Sequence, residues 1–213
     1  MKTSASPCVL LGDVVGSRNS RDRQGLHRSL EDVLARVNDE VPATTDLRVT
    51  VGDEFQGTYP TLGAAIDAAL RVRLALMPEV DTRFGLGRGD VTVLDESRGI
   101  EDGPGWWSAR SAIETVADLA ERAATRHART AYRASGTEPT GPAVDAALLC
   151  RDHLVGSLSD RSLRLLKGLM HPHTTQSTLA EREGISASAV SQRVRTDGIG
   201  AVLAAQELLR GIP

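Results

Sequence analysis

Two glycine–aspartate pairs carry the clearest chemistry in this sequence. Gly12-Asp13 closes the apolar run CVLL at 8–11, and Gly52-Asp53 sits between two stretches that alternate in polarity. Carboxylates brought close together repel unless a cation or a proton lies between them. Hard oxygen ligands at a sheet edge suit Mg2+ or Mn2+, which in turn bridges to phosphate oxygens. After Asp13 the segment Val14-Val15-Gly16-Ser17-Arg18 turns toward a helix, where free N–H groups could hold phosphate. Gly12, Gly16 and Gly52 would allow close backbone approach. Arg18, Arg21 and Arg23 could cover the phosphates, although a solvated helix end explains them equally well. The competing account is that Asp13 and Asp53 are separate turn residues, since Asp and Gly are both common in turns. Spacing alone leaves the two accounts level.

Whether the carboxylates meet depends on the strands beneath them. The run at 8–11 reads as a central strand buried on both faces. Leu26, Leu30, Val33, Leu34, Val37 and Val41 recur every three or four residues, the period of an amphipathic helix. Leu47, Val49 and Val51 alternate with polar residues, as do Phe55, Gly57 and Tyr59. Only Gly52-Asp53 separates these two strands, a pair suited to a II′ hairpin turn. A second helical stripe runs from Leu62 to Met77 and ends at Pro78. Strands around Phe84 and around Val91 follow, then a long helix expected from about Trp106 to Arg133. This order predicts an α+β fold whose first domain is a ferredoxin-like βαββαβ unit. A helical crossover makes the first two strands parallel, and the third returns between them. Asp13 and Asp53 then face each other across neighbouring strand ends.

One composition break, ASGTEPTGPAV at 134–144, reads as a linker. It divides the chain into a first domain at 1–133 and an all-α domain at 145–213. Helices are expected at 144–155, 159–170, 175–183, 186–195 and 197–209, each with a small polar residue near its start as a cap. Residues 176–195, QSTLAEREGISASAVSQRVR, carry small Ala180, Gly184 and apolar Val190 at the spacing of a DNA-binding helix-turn-helix. The exposed face of the second helix would be Ala187, Ser188, Ser191, Gln192 and Arg195. Gln reads adenine, and Arg reads guanine or phosphate. Such helix pairs also serve as protein-binding modules. The motif carries three Arg against two Glu, so a monomer would hold DNA weakly and a dimer is expected to supply affinity.

The composition excludes several classes. Of the 213 residues 40% are hydrophobic and 25% charged, which rules out wholesale disorder. Apolar runs reach only about five residues, too short to span a bilayer. The start MKTSASPCVLLGD lacks the apolar stretch of a secretory signal, and two cysteines, Cys8 and Cys150, exclude a disulfide framework, so a cytoplasmic location is expected. Net charge is −3 overall; residues 151–213 carry eight Arg/Lys against six Asp/Glu and the remainder 17 against 22. The chain is therefore no bulk polyanion binder. Smaller signals favour structural roles. His171-Pro172-His173 lacks metal partners, His27, His127 and His153 are isolated, and Gly85-x-Gly87-x-Gly89 precedes no helix directly, so strand crowding explains it better than a dinucleotide site. Of Trp106 and Trp107, at least one is expected in a core or dimer contact, with base stacking the alternative.

The motifs LGDVVGSR at 11–18 and VGDEFQG at 51–57 resemble the SatD family, as do FGLGRG at 84–89 and the segment from DGP at 102–104 to Ala109-Arg110. The first domain more distantly resembles the palm of class III nucleotide cyclases. That resemblance implies metal ligation by Asp13 and Asp53, a nucleotide contact by Glu54, and dimers with shared sites. It also lets Arg110 stand for the arginine that steadies the transition state. The departures are specific: the Asn of the cyclase pattern is missing, Arg110 is out of clean register, no lysine is available for adenine selection, and Val51 replaces the first glycine of a GGDEF loop. Metal binding carries over better than cyclisation. The second domain resembles region 4 of sigma factors, through LSDR at 158–161 and the helices that follow.

Two functions are thereby expected. The first is a DNA-binding transcriptional regulator whose palm binds a nucleoside triphosphate or signalling nucleotide with Mg2+ or Mn2+. The second is an active nucleotidyl cyclase or nucleotidyltransferase, with Asp13, Asp53 and Arg110 catalytic and the DNA-binding domain accessory.

Overall fold

The computed structural model describes residues 6–17, 22–95 and 99–213. The chain runs β1 (Cys8–Val14), α1 (Arg23–Glu40), β2 (Thr45–Val49), β3 (Phe55–Tyr59), α2 (Leu62–Leu76), β4 (Thr82–Arg88), β5 (Thr92–Asp95) and β6 (Ile100–Asp102). It continues α3 (Pro104–Ala120), β7 (Thr130–Ala134), α4 (Gly141–Gly156), α5 (Asp160–Met170), α6 (Gln176–Glu183), α7 (Ala187–Thr196) and α8 (Ile199–Arg210). The molecule is α+β. Its main sheet is mixed, five strands in the order β2-β3-β1-β4-β7, and β5 and β6 form a separate hairpin.

Strand β1 is central and antiparallel to both β3 and β4. Because β3 is also antiparallel to β2, β1 and β2 run in the same direction, with the third strand between them. Side chains alternate across the sheet. Cys8, Leu10 and Val14 join Phe55, Phe84 and Leu86 in a core covered by α1 and α2. Val9 and Leu11 point the other way, against Trp106, Ala109 and Ile113 of α3. Aliphatic residues fill most of this core, with Phe55 and Phe84 meeting edge to face at 5.9 Å.

Two glycines of β4 set the distance to α3. A Cβ on Gly85 would lie 2.1 Å from the Ala109 carbonyl oxygen, and one on Gly87 would lie 2.2 Å from that of Gly105. The Gly-x-Gly pattern thus seats a helix backbone on a strand, the crowding expected from the sequence.

The long helix expected over Trp106 to Arg133 is instead α3, a short 3-10 turn at Ala123–Thr125, and the strand β7. The buried stripe of α3 ends at Val116. Beyond it the sequence is Ala- and Arg-rich, where helix propensity is high but no further stripe holds a helix in place. β7 pairs parallel with β4 and is covered on both faces, Ala131 by α3 and Tyr132 by the α4 side. It therefore shows none of the polar alternation that marks a half-exposed strand. The β2–β3 turn also differs from expectation. β2 ends at Val49, Val51 is exposed, and Glu54 N–H donates to the Val51 carbonyl at 3.0 Å. Gly52 adopts φ 67° there, the left-handed conformation that glycine tolerates best.

The stretch 134–144 holds the last residue of β7 and the first turn of α4. Asp145 of α4 accepts from the Tyr132 N–H at 2.8 Å, which ties the helix to the strand just before it. Further on, Leu70 and Leu74 of α2 share a core with Val155, Leu163, Leu166, Leu179, Val190 and Val202. α8 lies so close to α2 that a Cβ on Gly63 would meet the Arg210 carbonyl at 2.2 Å. Ser159, Thr175 and Ser186 cap α5, α6 and α7, each accepting from the N–H three residues on. Among the described residues no helix is long and apolar enough to cross a membrane.

A buried ionic network links these layers. Asp81, just before β4, accepts from Arg73 of α2 at 2.8 Å and from Arg129 at 2.7 Å. Fully buried Asp152 of α4 accepts from the Arg129 N–H at 2.8 Å and from Arg73 at 3.3 Å. Arg151 reaches Gln206 of α8 at 3.0 Å, and Gln206 reaches Asp67 of α2 at 3.0 Å. Buried charges persist only when paired and hydrogen-bonded in this way.

Candidate metal and nucleotide site

Asp13 shares the sheet face of Val9 and Leu11, the face toward α3, because strand side chains alternate. Its partner across the β1–β4 pair is Arg83. The guanidinium forks the carboxylate, Nε to Oδ1 at 2.9 Å and Nη2 to Oδ2 at 2.7 Å. The two side chains are 28% and 22% exposed, so the pair is reachable from solvent. Asp53, half-buried on the β2–β3 turn, acts on the same guanidinium. The hydrogen bond that Arg83 donates to Asp13 chiefly raises the Arg83 pKa above its ordinary value; the charges of Asp13 and then Asp53 add to it against the opposing effect of burial. Asp13 therefore already has a cationic partner.

Beside Asp53, Glu54 pairs with Arg110 of α3 at 3.3 Å, both side chains about half exposed. The sequence put Arg110 out of register with the cyclase arginine, yet its side chain ends on the hairpin that carries Asp53. Trp106 is buried against β1, whereas Trp107 is exposed and donates from its indole N–H to Asp102 at 3.0 Å.

The expected phosphate turn is only partly open. Val14 is buried in the core, and the Val15 N–H is spent on the Asp81 carbonyl at 2.9 Å. Gly16 has φ 71° and open space around it. Ser17 lines a narrow crevice together with Arg23, His27, Gly52 and Asp53, so it does meet the aspartate turn. Arg18 and Arg21 lie outside the described residues. At the start of α1 the Asp22 carboxylate already accepts from the Gly25 N–H at 2.8 Å. A phosphate there would meet a like charge. Gly12 also has a different task from the one expected. A Cβ on it would lie 2.2 Å from the Phe55 ring, so it seats an aromatic rather than a ligand.

Asp13 and Asp53 supply hard oxygen donors of the kind Mg2+ and Mn2+ take. Among the described residues no cluster of three or more His, Cys, Asp or Glu forms a metal cage. Mg2+ often binds through only one or two carboxylates, with waters and substrate phosphates completing its shell. The donor set fits an ion that arrives with a phosphate-bearing ligand. Such an ion must share Asp13 with Arg83 or displace it.

In the helical part, Leu179, Ala180 and Val190 are buried between α6 and α7. Gly184 makes the turn in the left-handed conformation, φ 63°. Ala187, Ser188, Gln192 and Arg195 are exposed and Ser191 is half-buried. Among the described residues Arg195 has no side-chain partner, whereas Arg193 is held by Asp197 at 3.2 Å and Arg164 by Glu183 at 2.6 Å.

The remaining candidates are structural. Cys8 is fully buried, and burial pushes its thiol up to about 12. His127 and His153, expected to be isolated, meet edge to face at 5.6 Å. Arg83 is the residue that sequence reasoning passed over as a site residue. The signal was present: a cation at the start of a Gly-rich strand needs a partner, but only the β1–β4 register names Asp13.

A mixed sheet whose central strand carries the Asp13–Arg83 fork, together with the helices around and after it, makes this an α+β protein. The SatD family model matches residues 8–209, nearly the whole chain, and the protein belongs to the SatD family. No curated protein matches it.

Proposed function

We propose that this protein is a DNA-binding transcriptional regulator. In this reading the ferredoxin-like, palm-like sheet binds a nucleotide with Mg2+ or Mn2+, and the helix-turn-helix formed by α6 and α7 reads DNA. The observation that carries the reading is the solvent-reachable Asp13–Arg83 fork on the central strand, with the charge of Asp53, remote in sequence, acting on the same guanidinium. A divalent ion entering there would compete with Arg83 for Asp13. Asp13 and Asp53 would hold the metal, which neutralises phosphate charge when bound. Arg83, freed from Asp13, is positioned to take a phosphate oxygen. Ser17 and Arg23 line the adjoining crevice as further phosphate partners. On α7, exposed Arg195 and Gln192 are the groups able to reach base edges or phosphates. A homodimer would raise the affinity of so weakly basic a motif.

The test is twofold. Each of the four nucleoside triphosphates, titrated with Mn2+, is expected to bind without turnover, and the protein is expected to shift its own upstream DNA in a gel. Arg195→Ala should abolish that shift while leaving nucleotide binding intact. Failure of any nucleotide to bind rejects the palm reading, and failure to shift DNA rejects the reader.

What supports an enzymatic reading is the Arg110–Glu54 pair, which brings a second guanidinium beside Asp53. Release of pyrophosphate or a cyclic product in the same titration would favour it over regulation.

A further inference from the structure

A second cavity lies away from the aspartates, between α1, α2 and α5. It holds about 210 Å³ and has an apolar floor of Val33, Val37, Leu74 and Met170. Its rim carries two cations, Arg36 and Lys167, with His171 beside them. Glu40 and Arg71 at one end are already paired with each other. Among the described residues neither Arg36 nor Lys167 forms an ion pair, although the charge of Glu79 reaches Lys167; Arg36 donates to the Asp32 carbonyl at 3.3 Å and Lys167 to the Met77 carbonyl. Lys167 is one of only two lysines in the chain, half-buried where an arginine-rich sequence would otherwise use Arg. Burial lowers its pKa, the condition that an incoming anion would relieve.

We infer that this cavity is a binding site for a small organic acid, a single carboxylate on an apolar body. The apolar floor takes the body, and Arg36 and Lys167 take the carboxylate. At this volume the ligand is smaller than the drug-sized molecules that fill pockets of roughly 300 Å³ and more. Two walls belong to the helices under the sheet and the third to α5, whose Leu163, Leu165 and Leu166 share a core with α6 and α7. Occupancy therefore bears on both parts of the molecule. The inference stands independently of the nucleotide reading, because it shares no residue with it.

Octanoate is the probe, with octanol as its uncharged counterpart, both measured by titration calorimetry on the full chain. Octanoate should bind at one site, with octanol at least tenfold weaker. Lys167→Met and Arg36→Gln should each weaken octanoate about tenfold. Ala75, exposed on the cavity wall, gives a variant that leaves the buried core alone. Ala75→Leu should block octanoate while the melting temperature stays unchanged. Equal binding of octanol and octanoate, no binding of octanoate at millimolar concentration, or full binding to the Ala75→Leu variant would each overturn the site.

Discussion

Replacing Arg83 by Met separates a structural ion pair from a metal seat. The pair is bidentate but partly solvated, so its loss should cost about 1 kcal/mol of stability. If divalent ions compete with the guanidinium for Asp13, Arg83→Met should also bind Mn2+ several-fold more tightly. A purely structural pair would lose stability and gain no Mn2+ affinity; manganese titration by electron paramagnetic resonance distinguishes the two. Acid sensitivity belongs to the same scale. The hydrogen bond from Arg164 chiefly lowers the Glu183 pKa, and that from Ser162 chiefly lowers Asp197. For Asp81 burial pushes upward, but the Arg73 and Arg129 charges outweigh it and the net direction is down. A carboxylate with a depressed folded pKa contributes stability above its unfolded value, and that contribution is lost as pH falls through the folded value. The ordinary values here are 3.8 for Asp and 4.5 for Glu. Urea midpoints should therefore hold steady above about pH 5 and fall below about pH 4, with a shallower fall in Glu183→Gln.

Elements differ in what their glycines do, and this gives a contrast. Gly85 seats the α3 backbone, so Gly85→Ala forces a methyl to 2.1 Å from a carbonyl oxygen and should cost about 3 kcal/mol. Gly184 has open space around it and a left-handed φ, so Gly184→Ala should cost only about 1 kcal/mol, from backbone strain. Urea denaturation of both variants checks the order; equal costs would mean that α3 can shift off β4. The elements also show what sequence could and could not reveal. β1 was legible because four apolar residues end abruptly at Gly12-Asp13. The caps Ser159, Thr175 and Ser186 were legible because a hydroxyl before a periodic segment has a local cause. β7 was not, because a strand covered on both faces carries no alternation, and its neighbour β4 is remote in sequence. The Asp13–Arg83 fork was hidden for a related reason. Strand register is a long-range property, and one residue of slip would turn Arg83 to the opposite face.

At the scale of the molecule, the two parts share α2. Leu62 and Ile66 pack with the sheet core, and Leu70 and Leu74 pack with the helical one. The ionic network from Asp81 through Asp152 and Arg151 to Gln206 crosses the same boundary. Both parts should unfold in one transition. Fluorescence of Trp106 and Trp107, both on α3, should report the same midpoint as far-UV circular dichroism, which is dominated by all the helices. Separate midpoints would mean two independently stable units. A shared helix and a shared network also provide a route by which a ligand at the sheet could bias the helical part, provided it binds two arrangements unequally.

The central claim is that Asp13 and Asp53 jointly seat a divalent ion carried by a nucleotide. Calorimetric titration of a nucleoside triphosphate into wild type, Asp13→Asn and Asp53→Asn, with and without Mn2+, tests it most directly. The account predicts binding that requires Mn2+ and falls at least tenfold in each variant. Metal-independent binding, or binding indifferent to both substitutions, would contradict it.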